Sequence, residues 1–369
     1  MTTIPRSAAC LLALGLALMA PTAAPAQSER VVNVYNWSDY IDPAVIEAFT
    51  KETGIKVRYD TFDANETLET KLLAGKSGYD VVVPTGYFLQ RQIAAGVFQK
   101  LDKAKLPNLV NLWPEVSQRL AKYDPGNQYA VNYMWGTTGI GYNVKKMHEI
   151  LGAGATIDSW DVVFRPEQLA KFKGCGIHML DSDDDIVPAA LRYLGLDPNS
   201  TQQKDLDKAA ELIAKIRPAV RKVHSSEYIH ALASGEICFV VGWSGDIKQA
   251  QKRAAEAKNG VEIGYAIPKE GAQMFFDNLA IPKDAPHVAE AHAFIDYLLR
   301  PDVAAKNTDL VQYANGNLAS QKLIDKAVLE DKTVYPDAAT MAKLYTISAH
   351  DQKTQRALNR LWTRIKTGR

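Results

Sequence analysis

From residue 31 onward, short runs of β-branched apolar residues alternate with stretches whose apolar positions recur every three or four residues. Residues 31–35 (Val-Val-Asn-Val-Tyr) read as a strand. Asp42-Pro43 then supplies the N-cap and first-turn pair of a helix running through Val45, Ile46 and Phe49 to Gly54. Residues 55–59 read as a second strand, Glu66 to Ala74 as a second helix stopped by Gly75, and residues 79–83 as a third strand. The unbroken apolar run of that third strand fits burial between parallel neighbours. A βαβαβ opening predicts an open, doubly wound α/β sheet, and ligands of such sheets bind beyond the carboxyl ends of the strands. The loops to watch are therefore 36–40 and 84–87.

A second α/β series follows residues 133–142 (Tyr-Met-Trp-Gly-Thr-Thr-Gly-Ile-Gly-Tyr), whose small residues suit a chain leaving one lobe and entering another. Strands at 176–180 and 237–241 again end in polar loops, Asp181 to Asp185 and Gly242 to Asp246. Residues 274–281 are strand-like. An amphipathic helix from His287 to Leu299 is halted by Arg300-Pro301, and the tail from Ala357 to Lys366 reads as a basic, solvated closing helix.

The first 26 residues change the address. Arg6 precedes an apolar run of about 13 residues, and Ala24-Pro25-Ala26 closes the segment, so 1–26 reads as a cleaved export signal. The run is too short for a spanning helix, which needs roughly 20 apolar residues. Removing it takes away Arg6 and Cys10. The 43 basic residues become 42, matching the 42 acidic ones, and Cys175 and Cys238 remain. Two cysteines in an exported chain predict one disulfide, with two buried free thiols as the alternative. The charge balance gives no reason to expect nucleic acid as a partner, and any charged ligand must be read by a local site. With 47% apolar residues over 369 positions, the chain has room for two folded domains.

Catalytic and metal signatures fail on inspection. Gly242 to Asp246 resembles a nucleophile elbow, but Asp246 stands where the second glycine belongs. No P-loop, H-E-x-x-H or C-x-x-C occurs, and the seven histidines are scattered. Asp181 to Asp185 resembles half a calcium loop, yet no glycine follows at the sixth position and Arg192 occupies the twelfth. The reading is of no catalytic residues, no resident metal and no cofactor. An enzyme acting on amines or amides through Asp181 to Asp185 or Ser244 is the rival.

What repeats is a pairing of aromatic and acidic residues at strand ends: Trp37 with Asp39 and Tyr40, Trp243 with Asp246, and Phe275 with Asp277. Aromatic faces attract cations by about 0.5–2 kcal/mol each. Neighbouring carboxylates take an ammonium's hydrogen bonds, which are of the stronger, charge-assisted kind. Two such clusters across a cleft suit a molecule with an ammonium at each end and methylenes between. Taken singly, each residue has an ordinary reading as a core aromatic, a helix cap or a turn residue.

The stretches Tyr35 to Ile41, Lys51 to Val57, Thr137 to Asn143, His224-Ser225-Ser226, Gly242-Trp243 with Asp246, Phe275-Phe276-Asp277 and Leu298 to Val303 together resemble the periplasmic polyamine-binding proteins of ABC transporters, most of all the putrescine-binding branch. The resemblance runs from about Val31 to the end. It implies a two-lobed periplasmic binding protein of type II, each lobe a doubly wound mixed sheet, with the ligand in the interlobe cleft. The implied division is 1–26 signal, 27–136 plus about 275–320 for lobe 1, and 137–274 plus about 321–369 for lobe 2.

The resemblance also implies roles for single residues. Ser38 and Asp277 fall at the amine sites and Asp246 at an amine end, while Trp37, Trp243, Phe275 and Tyr313 form an aromatic box. Asp39, Asp185 and Ser225 carry over in second rank, Tyr40 joins the expected ligand site from its pairing with Trp37 and Asp39, and Cys175 with Cys238 match the family's paired cysteines. Thr85 stands where that branch carries serine, Asp185 where a glutamate is common, and Tyr87 where the side chain is often small. These departures bear on ligand length, so putrescine is the first expectation, with spermidine and agmatine behind it. The implied setting is a periplasmic monomer that delivers its ligand to an ABC transporter permease in the inner membrane.

Overall fold

A computed structural model describes residues 1–2 and 29–367 of the chain; the expected export signal lies outside the described residues. Local chemistry sets the first elements as the sequence suggests. The helix Pro43–Thr53 starts where the Asp42 carboxylate accepts the Ala44 N–H at 2.8 Å and ends at Gly54, whose φ of 68° forms a left-handed cap.

Ten strands are joined through one long member: β1 (Val31–Trp37), β2 (Lys56–Phe62), β3 (Val81–Val82), β4 (Ala130–Asn143), β5 (Ile177–Met179), β6 (Lys222–Val223), β7 (Phe239–Trp243), β8 (Ile263–Ala266), β9 (Met274–Ala280) and β10 (Ala314–Asn315). Their order is β2-β1-β3-β9-β4-β7-β5-β6, with β8 and β10 also paired to β4. β1 is parallel to both β2 and β3, and β5 is parallel to both β6 and β7. Where β9 and β4 meet these groups the pairing is antiparallel, so both halves are mixed sheets.

β4 is the feature that sequence patterning leaves unread. Its residues up to Thr137 pair with β9, and from Thr138 onward it pairs with β7 and β8. A single 14-residue strand therefore passes from one core to the other. The first core gathers Val32, Phe49, Val82, Trp135, Phe276 and Phe294. Ile140, Trp160, Phe172, Phe239 and Ile247 belong to the second.

The tail divides differently from the expected boundary. Ile324, Val328, Val334, Tyr335 and Ile347 pack into the first core, and the helix Gln352–Thr367 alone of this region reaches the second, through Leu358, Leu361, Trp362 and Ile365. Apolar spacing marks a buried face, but it carries no information about which lobe receives it.

Cys175 and Cys238 form a disulfide with their Cα atoms 5.5 Å apart. Each cysteine lies just before a strand, β5 or β7, and those strands are parallel neighbours. The bridge therefore closes the amino ends of the pair and leaves the carboxyl ends free to carry polar loops.

Candidate binding site

The carboxyl ends of β1, β5 and β7 and the start of β9 converge on one cavity that encloses about 740 Å³, counting solvent at its mouth. Trp37, Ser38, Tyr40, Thr85, Asp185 and Ser225 line it, as do Trp243, Asp246, Phe275, Asp277 and Tyr313. Eleven of the twelve ligand-site residues expected from the sequence thus share one space.

Asp39 does not. Its backbone turns at φ 54°, and its carboxylate meets Arg253 at 2.6 Å on the outside of the cleft, in a separate depression. The side chain next to Ser38 therefore joins the lobes at their surface instead of entering the cavity. The left-handed turn at Asp39, just past the end of β1, carries its side chain away from the cavity that Trp37 and Ser38 line.

Asp277 is built in from three sides. It lies on β9, is 4% exposed, and its carboxylate accepts hydrogen bonds from the Tyr40 hydroxyl at 2.8 Å and the Thr85 hydroxyl at 2.7 Å. Asn65 donates its amide to the Thr85 oxygen at 3.0 Å, which leaves the threonine proton directed at Asp277. The methyl group that distinguishes Thr85 from serine therefore costs no polar contact. Burial raises the Asp277 carboxyl to about 7; the two hydroxyl donors pull it down, and the charges of Asp185 and Asp246 push it up.

Asp246 repeats this design in the other lobe. It sits in the first turn of the helix Ser244–Ala257, immediately after β7, and accepts from the Tyr228 hydroxyl at 2.7 Å and the Tyr313 hydroxyl at 2.6 Å. Burial raises it to about 6 against the pull of those donors. Asp185 lies in the first turn of the helix Asp183–Tyr193 after β5. It accepts from the Thr138 hydroxyl and from Trp243 Nε1 at 3.3 Å, and burial again raises it. Helix N-termini favour negative charge, which explains why both helices can open with carboxylates.

Aromatic rings connect the carboxylates. Trp37 and Trp243, from different lobes, meet edge to face at 5.7 Å between centroids. Trp243 continues to Phe275 at 6.3 Å and Phe275 to Tyr313 at 6.2 Å, while Tyr40 packs on Tyr313 at 4.9 Å. Gly245 makes this packing possible, because a Cβ there would stand 2.1 Å from the Tyr313 ring.

Among the described residues, no lysine, arginine or histidine lines the cavity. Buried carboxylates in an aromatic channel without a resident cation form a receptor for one. Ser244, the nucleophile of the enzyme reading, is buried and accepts the Thr137 N–H at 3.2 Å, with no histidine among the lining residues to act as its base. Asp181, named in the same reading, is held by Lys366 Nζ at 2.8 Å and Trp362 Nε1 at 2.7 Å.

Several contributors escape sequence reasoning. Tyr228 fixes Asp246 from the first position of a short helix, while Asn65 orients Thr85 from the start of another; Gln273 lines the cavity from the segment between β8 and β9. Nothing in their local spacing distinguishes them from ordinary helix and loop residues.

Comparison with known proteins adds an independent line. Residues 44–339 match the family model described as bacterial extracellular solute-binding protein. A putrescine-binding periplasmic protein of Pseudomonas aeruginosa is 54% identical over 97% of this chain and 98% of its own length. A putrescine-binding periplasmic protein of Escherichia coli is 51% identical over 93% of each chain. A solved structure from Listeria monocytogenes, described as a spermidine/putrescine ABC transporter, superposes with a TM-score of 0.82 at 33% identity, covering 92% of this chain and 100% of that one.

Proposed function

The chain belongs to the bacterial extracellular solute-binding proteins, and from that premise we propose that it captures putrescine in the periplasm and hands it to an ABC transporter permease in the inner membrane. One observation carries the ligand assignment. Asp246 and Asp277, in different lobes, are both buried, both pinned by two hydroxyl donors, and joined by a channel of aromatic rings. Each carboxylate takes one ammonium of a dication, and the rings cover the methylenes between. A neutral or anionic solute finds no complement there. The names of the relatives support the same ligand, transport role and compartment.

Capture works by differential binding. Contacts from both lobes reward closure, since a ligand closes the cleft only by holding the closed state more tightly. Micromolar affinity needs about 8 kcal/mol, within reach of two charge-assisted ends and an apolar channel after desolvation and ordering costs.

The test is calorimetric titration of putrescine into the wild type, Asp246→Asn and Asp277→Asn. Removing one carboxylate leaves an ammonium buried and unpaired, which costs about 3–5 kcal/mol, so each variant is expected to bind at least roughly a hundredfold more weakly. Unchanged affinity in both variants overturns the site assignment.

A second reading has its own support. Asp63, Glu66 and Asp181 line the cavity beyond the aromatic box, and Tyr87 narrows it. This extra acidic lining favours a longer or guanidino-ended amine, such as spermidine or agmatine. A thermal-shift panel of the three amines ranks them.

A further inference from the structure

Next to the aromatic channel, the fold brings a carboxylate from a distant part of the sequence to two adjacent ones. Glu66 stands at the start of the helix Asn65–Ala74 in the first lobe; Asp183 and Asp184 open the helix Asp183–Tyr193 in the second. One oxygen from each side chain can be chosen so that all lie within 4.8 Å of one another. Asp183 is 6% and Asp184 4% exposed, and each keeps one side-chain oxygen with no hydrogen-bond partner. We propose that Glu66, Asp183 and Asp184 form a binding site for a divalent hard cation such as calcium, which bridges the two lobes.

The helix dipole explains why acidic residues open the second helix. It does not explain why a carboxylate from the opposite lobe approaches them, or why buried oxygens lack partners, since such atoms are costly to leave unsatisfied. The arginine whose charge acts on Asp183 and Asp184 is already engaged. Arg91 forms a two-pronged pair with Glu69 at 2.5 and 2.6 Å and gives its remaining nitrogen to Gln355 at 3.1 Å. Its field reaches the cluster, but its donors do not.

The donor set selects the class of ion. All three ligands are carboxylate oxygens, the preference of calcium, magnesium and manganese over softer metals. Glu66 is exposed to solvent, which leaves room for the waters that complete a calcium shell. Asp183 and Asp184 belong to the run rejected above as a linear calcium loop; the missing ligand comes instead from a residue more than a hundred positions earlier.

A bridging ion makes lobe closure cheaper, and by reciprocity closure raises affinity for the ion. The test is calorimetric titration of calcium chloride into the EDTA-treated chain, with and without putrescine, for the wild type, Glu66→Gln and the double variant Asp183→Asn/Asp184→Asn. Circular dichroism checks the fold of each. The expected result is a saturable single-site heat in the wild type, tighter with putrescine present, and at least tenfold weaker in both variants. No saturable heat in the wild type overturns the proposal, as does heat retained in both variants. Calcium that weakens putrescine binding also overturns it, because the cluster then takes an ammonium of the ligand. The titration without putrescine tests the metal site on its own, while a putrescine titration in EDTA tests the polyamine reading separately.

Discussion

Asp277 illustrates what a buried carboxylate requires before it can act as a receptor. Two hydroxyls hold it in place, yet burial still lifts its proton affinity to about 7, and Asp246 to about 6. Both groups favour the neutral form in the empty site, so their contribution to stability is fully present below about pH 4 and is lost as pH rises through 6 to 7. A bound diammonium reverses that demand, since alkylammonium groups stay charged throughout this range. The putrescine-induced rise in melting temperature is therefore expected to be largest near pH 8 and to shrink steadily from pH 7 to pH 5. Affinity should fall by up to roughly tenfold per pH unit for each carboxyl that must lose its proton. Scanning fluorimetry across that range checks this; a shift that stays constant contradicts it. At the same scale, Gly245→Ala places a methyl group inside the Tyr313 ring position. Tyr313 must swing away from Asp246, so putrescine affinity is expected to drop at least tenfold by calorimetry while the far-ultraviolet circular dichroism stays native.

At the scale of elements, the site follows from what strands present at their carboxyl ends. β5 and β7 each run directly into a helix whose first turn carries a site carboxylate, Asp185 and Asp246. The Cys175–Cys238 bridge ties the opposite ends of the same strands. It closes a loop with a sequence separation of 63, for which chain entropy gives roughly 4 kcal/mol of stabilisation. The Cys175→Ser/Cys238→Ser variant is therefore expected to lose about 2–4 kcal/mol in denaturant titration. Its putrescine affinity at 25 °C should remain within a few-fold of wild type, because the bridge lies at the end of the strands away from the cavity. A large loss of affinity in the folded variant would place the bridge in the binding mechanism instead.

For the whole molecule, β4 and the segment between β8 and β9 connect two separately packed cores. Many contacts across the cleft are polar, among them Lys248 with Asp331, Gln249 with the Asp39 and Val311 carbonyls, and Tyr313 with Asp246. Trp37 meets Trp243, Asp39 meets Arg253, and Arg91 meets Gln355. The Asp39–Arg253 pair is 42% exposed on both sides, so screening limits it to at most about 1 kcal/mol. Closure then draws on ligand contacts together with these lobe–lobe contacts. Small-angle scattering is expected to show a smaller radius of gyration in saturating putrescine than without it. The double variant Asp246→Asn/Asp277→Asn is expected to show no change at the same concentration, and a decrease there would detach closure from these carboxylates.

Much of this was legible in the chain itself. Strand–helix alternation, the caps at Asp42 and Gly54, and the acid–aromatic pairs at strand ends all arise from local physics, because backbone geometry and helix dipoles act over a few residues. The carboxylates Asp246 and Asp277 could be named from that pattern together with the family resemblance. Tertiary structure alone decided the remainder. It turned Asp39 out of the cavity, assigned residues 324–347 to the first core, recruited Tyr228 and Asn65 to fix the carboxylates, and brought Glu66 to Asp183 and Asp184. Each of these depends on where distant segments cross in space, and neither a period nor a motif encodes that.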